Sequence, residues 1–367
     1  MIAVLKPTYL CNLRCTYCYL PESQKVKLHR WSLSFAKKVI DNLFAYINTQ
    51  RQSLTIIWHG GEPLLWGESN FKSILEYISQ LKDQTECKIR NIIQTNLTLI
   101  NDTYLEIFSK HDVKVSFSID GPLHINDKTR LNCDGQGTYN TILRKIELCK
   151  SHNTKLSCVV VGNKNHIGHI KDLYSWISRL GISNFKFNPI FNNGEHSFDS
   201  IGISADEYAD MLIELFELWF NDYDSTFSES NLTEICSNIA TRRPRACHFK
   251  TNCQEIVIAV SPEGEVCPCG RFCEDSDKYS YGNLNKSSLD KILQNRDRSP
   301  LFNRSDFLQN SECFDCNFWD ICHGGCPHDA LSSKNDFLKS TFLCPAYKRI
   351  FTHVTYRLKE SGLIDNY

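Results

Sequence analysis

The sequence predicts an α/β fold, a partial (β/α)6 TIM-like barrel followed by a smaller C-terminal cysteine-rich domain. Three observations carry this. The first half alternates short β-branched runs with amphipathic segments, the pattern of parallel strands joined by helices. Every chemically notable motif in that half falls directly after an expected strand, where barrels collect their active groups. Eleven of the eighteen cysteines lie between Cys236 and Cys344, a density foreign to an ordinary globular segment.

In chain order, strands are expected at Ile2–Leu5, Leu54–Trp58, Ile89–Gln94, Val113–Ile119, Leu156–Val161 and Phe185–Pro189. Between them, helical spacing predicts Ser34–Asn48, Phe71–Lys82, Asp102–Lys110, Thr138–Ser151 and His166–Leu180. In the first of these, Phe35, Val39, Ile40, Leu43, Phe44 and Ile47 lay one apolar face against a sheet. A loop at Asn192-Asn193-Gly194 and a helix near Ala205–Asn221 come next. Further on, Ile256–Val260, a Ser261-Pro262-Glu263-Gly264 turn and Glu265–Cys267 read as a hairpin. The expected domains are 1–200 for the barrel, 201–240 for a helical bridge and 241–367 for the cysteine-rich domain with its C-terminal helix.

Composition excludes several function classes. The 367 residues carry 41 Lys+Arg against 42 Asp+Glu, a net charge of -1, so no global field selects nucleic acid or acidic lipid. No apolar run approaches the ~18 residues of a membrane span. The N-terminal Met1-Ile-Ala-Val-Leu-Lys6-Pro7 lacks signal-peptide architecture. The expected location is therefore the cytoplasm, where thiols stay reduced. That argues against a disulfide framework and for metal or cluster ligation.

The densest ligand run is Cys11-Asn-Leu-Arg-Cys15-Thr-Tyr-Cys18, a C-x3-C-x2-C loop after the first expected strand. Iron–sulfur cubanes normally take four cysteines, so three thiolates leave one iron for a ligand from outside the protein. After the second strand comes His59-Gly60-Gly61-Glu62-Pro63, after the third Thr95-Asn96, and after the fourth Asp120-Gly121-Pro122. Singly, a C-x2-C pair also fits a zinc or redox site and a Gly-Gly pair a plain turn. Their order on successive strands is the specific signal.

This combination resembles the radical S-adenosylmethionine superfamily. The resemblance implies that Cys11, Cys15 and Cys18 ligate iron, and that S-adenosylmethionine chelates the open iron and yields a 5′-deoxyadenosyl radical. It also implies that Gly60, Gly61, Glu62 and Pro63 form the edge that meets the cofactor's amino group. By the same resemblance Tyr17 packs near the adenine, and Asn96 and Ser118 hydrogen-bond the methionyl or ribose groups. His59 and Arg130 have no such support and are expected in surface salt bridges or packing.

The downstream cysteines run Cys253-x10-Gly264-x4-Cys269, then Cys313-x2-Cys316-x5-Cys322-x3-Cys326, then Cys344. This resembles the SPASM domain, the auxiliary-cluster module of radical enzymes that act on peptides. With Cys247 added, the resemblance implies one cluster on Cys247, Cys253, Cys269 and Cys326 and another on Cys313, Cys316, Cys322 and Cys344. That makes three 4Fe-4S clusters, with the auxiliary pair fully ligated and suited to electron transfer. Sets of four cysteines also suit structural zinc, but the interleaved spacing is unlike zinc ribbons. Cys267 and Cys273 flank Cys269, and either can substitute for it. Cys87, Cys133, Cys149, Cys158 and Cys236 are expected as ordinary buried thiols.

The full layout is similar to anaerobic sulfatase maturases, which oxidise a Cys or Ser of a protein to formylglycine. Those enzymes carry an aspartate directly after the third ligand of the first auxiliary cluster, as base for the substrate. Here Gly270 follows Cys269, so that proton acceptor is missing. Trp58-His59-Gly60-Gly61-Glu62-Pro63-Leu64-Leu65 instead resembles maturases of ribosomally made peptides. The implied partner is a precursor peptide, and the implied product an oxidative crosslink, foremost a C–C bond between an aromatic ring and a Cβ, a cyclophane. Thioether formation, epimerisation and formylglycine formation are the alternatives, and an iron–sulfur redox sensor is the non-enzymatic one. An external electron donor such as flavodoxin or ferredoxin is implied, with no nucleic acid and no membrane as partner. No catalytic residue is assigned. The cysteine loop lies so near residue 1 that precursor recognition is expected in the bridge around Asn192–Asn231, by strand addition.

Overall fold

The computed structural model describes residues 1–191, 200–223 and 227–365, so the expected Asn192-Asn193-Gly194 loop lies outside the described residues. In chain order the main elements are β1 (Ile2–Leu5), α1 (Leu33–Gln50), β2 (Leu54–Trp58), α2 (Glu68–Lys82), β3 (Ile89–Thr95), α3 (Asp102–Lys110), β4 (Val113–Ser118) and α4 (Tyr139–Ser151). Then come β5 (Leu156–Gly162), α5 (Ile170–Arg179), β6 (Asn184–Pro189), α6 (Ala205–Phe220), β7 (Ser228–Glu229) and α7 (Ser230–Thr241). The remainder holds β8 (Val257–Val260), β9 (Glu265–Cys267), β10 (Gly282–Asn283), α8 (Leu289–Arg296), α9 (Pro327–Lys334) and α10 (Cys344–Glu360). The six expected strands and six expected helices are thus all present, displaced at their ends by a few residues at most.

The chain divides into two compact units. Met1–Ser118, Arg130–Leu156 and Gln254–Ser299 form the first, and Ile119–Thr129, Ser157–Cys253 and Pro300–Tyr367 the second.

In the first unit, β1 to β4 pair in parallel, with Ile2 opposite Thr55, Leu54 opposite Ile89 and Asn91 opposite Val113. The Ser32 hydroxyl opens α1 by accepting from Phe35 N at 3.1 Å, and Arg51 closes it in the left-handed region at φ 49°. The buried face of α1 is Ala36, Val39, Ile40, Leu43, Phe44 and Ile47, while Phe35 stays half-buried, edge-on to Trp31. Sequence spacing does not reveal where the hairpin goes. β8 lies parallel to β1, from Ile2 opposite Val257 to Leu5 opposite Val260, and β9 returns antiparallel beside it. All four β8 residues are buried, as in a strand covered on both faces.

In the second unit, β5, β6 and β7 run parallel, with Ser157 opposite Asn184 and Asn184 opposite Ser228. The expected helix over His166–Leu180 begins late. Asn163 caps a single 3-10 turn at Lys164–His166, and Gly168, at φ +76°, breaks the helical path before α5 starts. A reciprocal cap between Ser204 and Glu207 starts α6. α10 is tied to α6 by Arg349 pairing with Asp206 at 2.9 Å and by His353 meeting Glu217 at 2.6 Å. Among the described residues, no helix is long and apolar enough to cross a membrane.

Candidate functional site

The C-x3-C-x2-C loop leaves β1 and is seated on the residues that follow β2. Gly61 N donates to Thr8 O at 3.1 Å and Glu62 N to Leu10 O at 2.8 Å. A Cβ on Gly60 would meet Thr8 O at 2.1 Å, and one on Gly61 would meet Tyr9 O at 2.1 Å and Leu10 O at 2.4 Å. These glycines therefore let the cysteine-bearing strand lie directly on the β2 exit, and any side chain would lift it off. Pro63 and Leu64 continue buried into a short turn.

Glu62 is fully buried. Its Oε1 accepts from Leu64 N at 3.0 Å and the Thr95 hydroxyl at 2.7 Å, and its Oε2 from Asn96 N at 2.7 Å. The carboxylate thus binds the β2 exit to the end of β3. Burial pushes it up to about 7, against the three donors that favour the charged form. Asn96 in turn donates to Asn12 Oδ1 at 2.9 Å and reaches Cys11 Sγ at 3.9 Å, so the structure brings Asn96 to the cysteine loop. Ser118 sits one strand away, accepting from Gln94 Nε2 at 3.0 Å.

Tyr17 has a partner that sequence reasoning set aside. Arg130 donates from Nη1 to the Tyr17 hydroxyl at 2.7 Å and is 5% exposed, so of the two expected roles the surface salt bridge gives way to packing. The signal for it is the segment it begins: Arg14 N donates to Leu131 O at 2.7 Å, and Asn132 bridges Leu13. His59 does pack, its Nδ1 accepting from Gly60 N at 2.7 Å, and burial lowers it to about 4.

The loop's thiols are chemically suited to metal. Burial, then Glu62, pushes the Cys11 thiol up to about 12, with Cys15 and Cys18 adding to the shift. Burial also raises Cys18, opposed first by Lys25, then by a hydrogen bond from the Leu20 backbone and then by Arg130. Thiols that resist ionisation alone become thiolates on a metal ion.

Two further residues escaped sequence reading. Lys6, fully buried at the carboxyl end of β1, donates to Gly270 O at 2.6 Å, pairs with Glu274 Oε1 at 2.9 Å and lies 3.5 Å from the Tyr19 hydroxyl. A lysine closing an apolar strand was the available hint. Nearby, Cys273 Sγ lies 3.8 Å from the Cys269 carbonyl, and Cys273, then burial, raises the Cys267 thiol. Both thiols are buried, whereas Cys269 is half-buried. The ambiguity between Cys267 and Cys269 thus acquires a physical side, because Cys267 is buried and Cys269 only half-buried.

In the second unit, Cys313, Cys316, Cys322 and Cys344 line one cavity together with Phe318, Trp319, Tyr347 and Phe351. Burial, then Cys344 and Cys313, pushes Cys322 up to about 12, and burial raises Cys313 and Cys344 as well. Four thiols that oppose one another's ionisation inside an aromatic cavity fit a cationic cluster. Arg304 braces this region by donating to Gly325 O at 2.8 Å, Gly324 O at 3.2 Å and the carbonyls of Phe337 and Lys339. It lies in the field of Cys326, Cys253, Cys313 and Cys322. Among the described residues, the one group of three or more His, Cys, Asp or Glu donor atoms lying within 4.8 Å of one another is His124, His169 and Asp172.

The expected ordinary thiols divide. Cys149 and Cys158 are buried, Cys87 and Cys236 are half-buried, and Cys133 is exposed with its Sγ 3.4 Å from Asn12 O. Burial of Cys133 is corrected because its turn, Asn132 to Gln136, projects to solvent.

Comparison with known proteins gives the family. A profile described as the radical SAM superfamily matches residues 5–177, and the SPASM profile, described as an iron–sulfur cluster-binding domain, matches residues 247–317. The chain is 25% identical over 359 residues to a cysteine-type anaerobic sulfatase-maturating enzyme of Clostridium perfringens, covering 95% of this chain and 94% of the relative. It is 25% identical over 350 residues to a serine-type enzyme of Klebsiella aerogenes, covering 95% and 84%. The solved structure of anSMEcpe with bound AdoMet and Cp18Cys peptide superposes with a TM-score of 0.86 at 22% identity, covering 99% and 98%. Streptococcus suis SuiB bound to precursor peptide SuiA gives 0.66 at 18%, covering 94% and 75%. These likenesses establish the mixed α/β fold with the parallel sheet of a partial barrel. The chain thus carries a radical SAM domain and a C-terminal SPASM domain and is similar over nearly its whole length to the sulfatase-maturating enzymes.

Proposed function

We propose that this protein oxidises a ribosomally made precursor peptide in the cytoplasm and closes a crosslink in it, foremost a C–C bond between an aromatic ring and a Cβ. The observation that carries this reading is Gly270. The position after Cys269, where a base for formylglycine chemistry is expected, holds no side chain, and its carbonyl is occupied by Lys6. When bound, S-adenosylmethionine and a cluster on Cys11, Cys15 and Cys18 supply a hydrogen-abstracting radical, and two auxiliary clusters on Cys247, Cys253, Cys269, Cys326 and on Cys313, Cys316, Cys322, Cys344 supply one-electron chemistry.

The chain's own residues hold that chemistry in place. Glu62, fixed by Thr95 and Asn96, keeps the Gly60–Pro63 edge rigid for an amino group, and Arg130 orients the Tyr17 ring beside Cys18. Aromatic walls around the Cys313 cavity exclude water. Precursor capture is assigned to the stretch 192–231, of which 192–199 and 224–226 lie outside the described residues and the rest includes β7, paired with β6, with an external flavodoxin or ferredoxin as electron donor.

A second reading, formylglycine formation at a Cys or Ser, is favoured by the 95% coverage of this chain in relatives named for that activity. Anaerobic reconstitution followed by dithionite and S-adenosylmethionine should release 5′-deoxyadenosine. Its absence from iron-loaded protein sinks the enzyme reading. Co-expression with short peptides from neighbouring reading frames then separates the two products by mass spectrometry. Loss of two hydrogens within an aromatic segment supports the crosslink, and a change confined to a Cys or Ser supports the second reading.

A further inference from the structure

We infer that Glu274, held by Lys6, is the base that takes the proton released when the peptide is oxidised; this rests on the peptide-oxidation reading. Two loops with proposed cluster ligands meet at the Lys6 ammonium. Tyr19, next to Cys18, lies 3.5 Å from Nζ on one side, and the carbonyl of Gly270, next to Cys269, accepts from it at 2.6 Å on the other. The same ammonium pairs with Glu274 Oε1 at 2.9 Å. It also lies over the rings of Tyr9 and Tyr19, 5.3 and 5.1 Å from their centroids. Glu274 Oε2 is buried and has no hydrogen-bond partner among the described residues.

An unpartnered carboxylate oxygen in the core is costly unless it has a use. The groups facing Glu274 are Lys6 from the end of β1, Tyr9 and Tyr19 from the cysteine loop, Cys267 from β9 and its neighbour Asp275. Burial raises the proton affinity of Glu274, with Lys6 the chief opposing influence. Lys6 itself is disfavoured as a cation by burial, but Glu274 foremost, then Tyr19, Tyr9 and Cys273, outweigh this and keep its proton on. The result is a base with one oxygen anchored by Lys6 and the other without a hydrogen-bond partner among the described residues.

The step is a proton transfer. The substrate's X–H bond breaks, the O–H bond on Glu274 Oε2 forms, and the electron pair stays on X. In a crosslink X is the ring carbon regaining aromaticity.

Gly270 provides a test specific to this geometry. A Cβ there would lie 3.6 Å from Lys6 Cε and 4.0 Å from Nζ, in open contact, so an aspartate at 270 would reach the same ammonium. In the reconstituted holoenzyme, E274Q should lower modified peptide per deoxyadenosine released by about 10²-fold or more, with iron content near wild type and a lowered melting temperature, because the buried Lys6 ammonium loses its counter-charge. E274D should recover part of the loss, and G270D in the E274Q background should restore product at least about tenfold. A readout that needs no turnover is infrared spectroscopy of the holoenzyme. The carbonyl band of a protonated carboxyl, absent in E274Q, should grow in with a midpoint above the ordinary glutamate value of about 4.3.

Three results would overturn the assignment: unchanged product in E274Q, a parallel fall of product and deoxyadenosine, or an ordinary midpoint for the band. Failure of the underlying reading shows differently, as wild-type protein that releases no deoxyadenosine, and that overturns both.

Discussion

The radical loop and the auxiliary cavity hold cysteines by opposite means. Cys11, Cys15 and Cys18 lie within eight residues and are seated by backbone, with Gly60 and Gly61 receiving the strand and Glu62 binding the seat to β3. Cys313, Cys316, Cys322 and Cys344 span 32 residues and are seated by side chains, with Arg304 reaching four carbonyls and α10 presenting Cys344 at its first residue. A compact ligand run needs one close-fitting surface. A dispersed set needs a brace that spans its loops.

The largest effect that tests this contrast is ligand loss. C15S should abolish deoxyadenosine formation altogether, while C322S should lower bound iron and modified peptide but leave some deoxyadenosine. Iron analysis and chromatography of the same samples decide it, and equal loss of deoxyadenosine in both would erase the functional difference between the regions. Next is G61A. The added Cβ meets two carbonyl oxygens, and neither can move without carrying the cysteine loop. Destabilisation of about 3 kcal/mol is expected, read by denaturant unfolding of the anaerobic protein. A shift under about 0.5 kcal/mol, the range of ordinary surface changes, would mean that the loop is not seated there.

R304M is expected to cost about 2 kcal/mol, since it strips charge-assisted hydrogen bonds from buried carbonyls, and to deplete iron from the second unit before the first. R304K, which keeps the charge but cannot span four acceptors, should lie between. If R304M leaves iron content and unfolding unchanged, the brace is not what orders the auxiliary cavity.

The same contrast explains what could be read in the sequence. The radical loop, its strand and the Gly-Gly-Glu-Pro exit are local, so periodicity and spacing located them. The brace was not legible, because Arg304 reaches Lys339 across 35 positions and nothing near it marks the pairing. Lys6 and Glu274 are 268 positions apart for the same reason. The partner of Arg130 was not legible either, because Tyr17 lies 113 positions earlier. The hairpin was legible as a hairpin, but its parallel pairing with β1 was not, since a fully apolar β8 fits any buried neighbour.

The smallest expected effect concerns a feature that both units share. Each holds a fully buried glutamate that accepts backbone N–H groups: Glu62 in the first, and Glu229 in the second, bonded by Phe187 N at 2.7 Å and Leu232 N at 2.6 Å. Burial pushes both carboxyls from 4.5 up to about 7. Between those values the native protein retains protons that the unfolded chain has released, so stability falls as pH rises and levels off above about 7. From pH 6 to 7 each carboxyl should remove about 1 kcal/mol. E62Q and E229Q should each abolish one half of that slope, whatever constant offset the amide introduces. Their activities should diverge, however, because Glu62 fixes the edge beside the cysteine loop, whereas Glu229 ties the start of α7 to β6. Deoxyadenosine formation is expected to fall in E62Q and to persist in E229Q. Equal activity in the two would place the buried charge of Glu62 in folding alone, and the β2 exit would then act on the cysteine loop through its glycines.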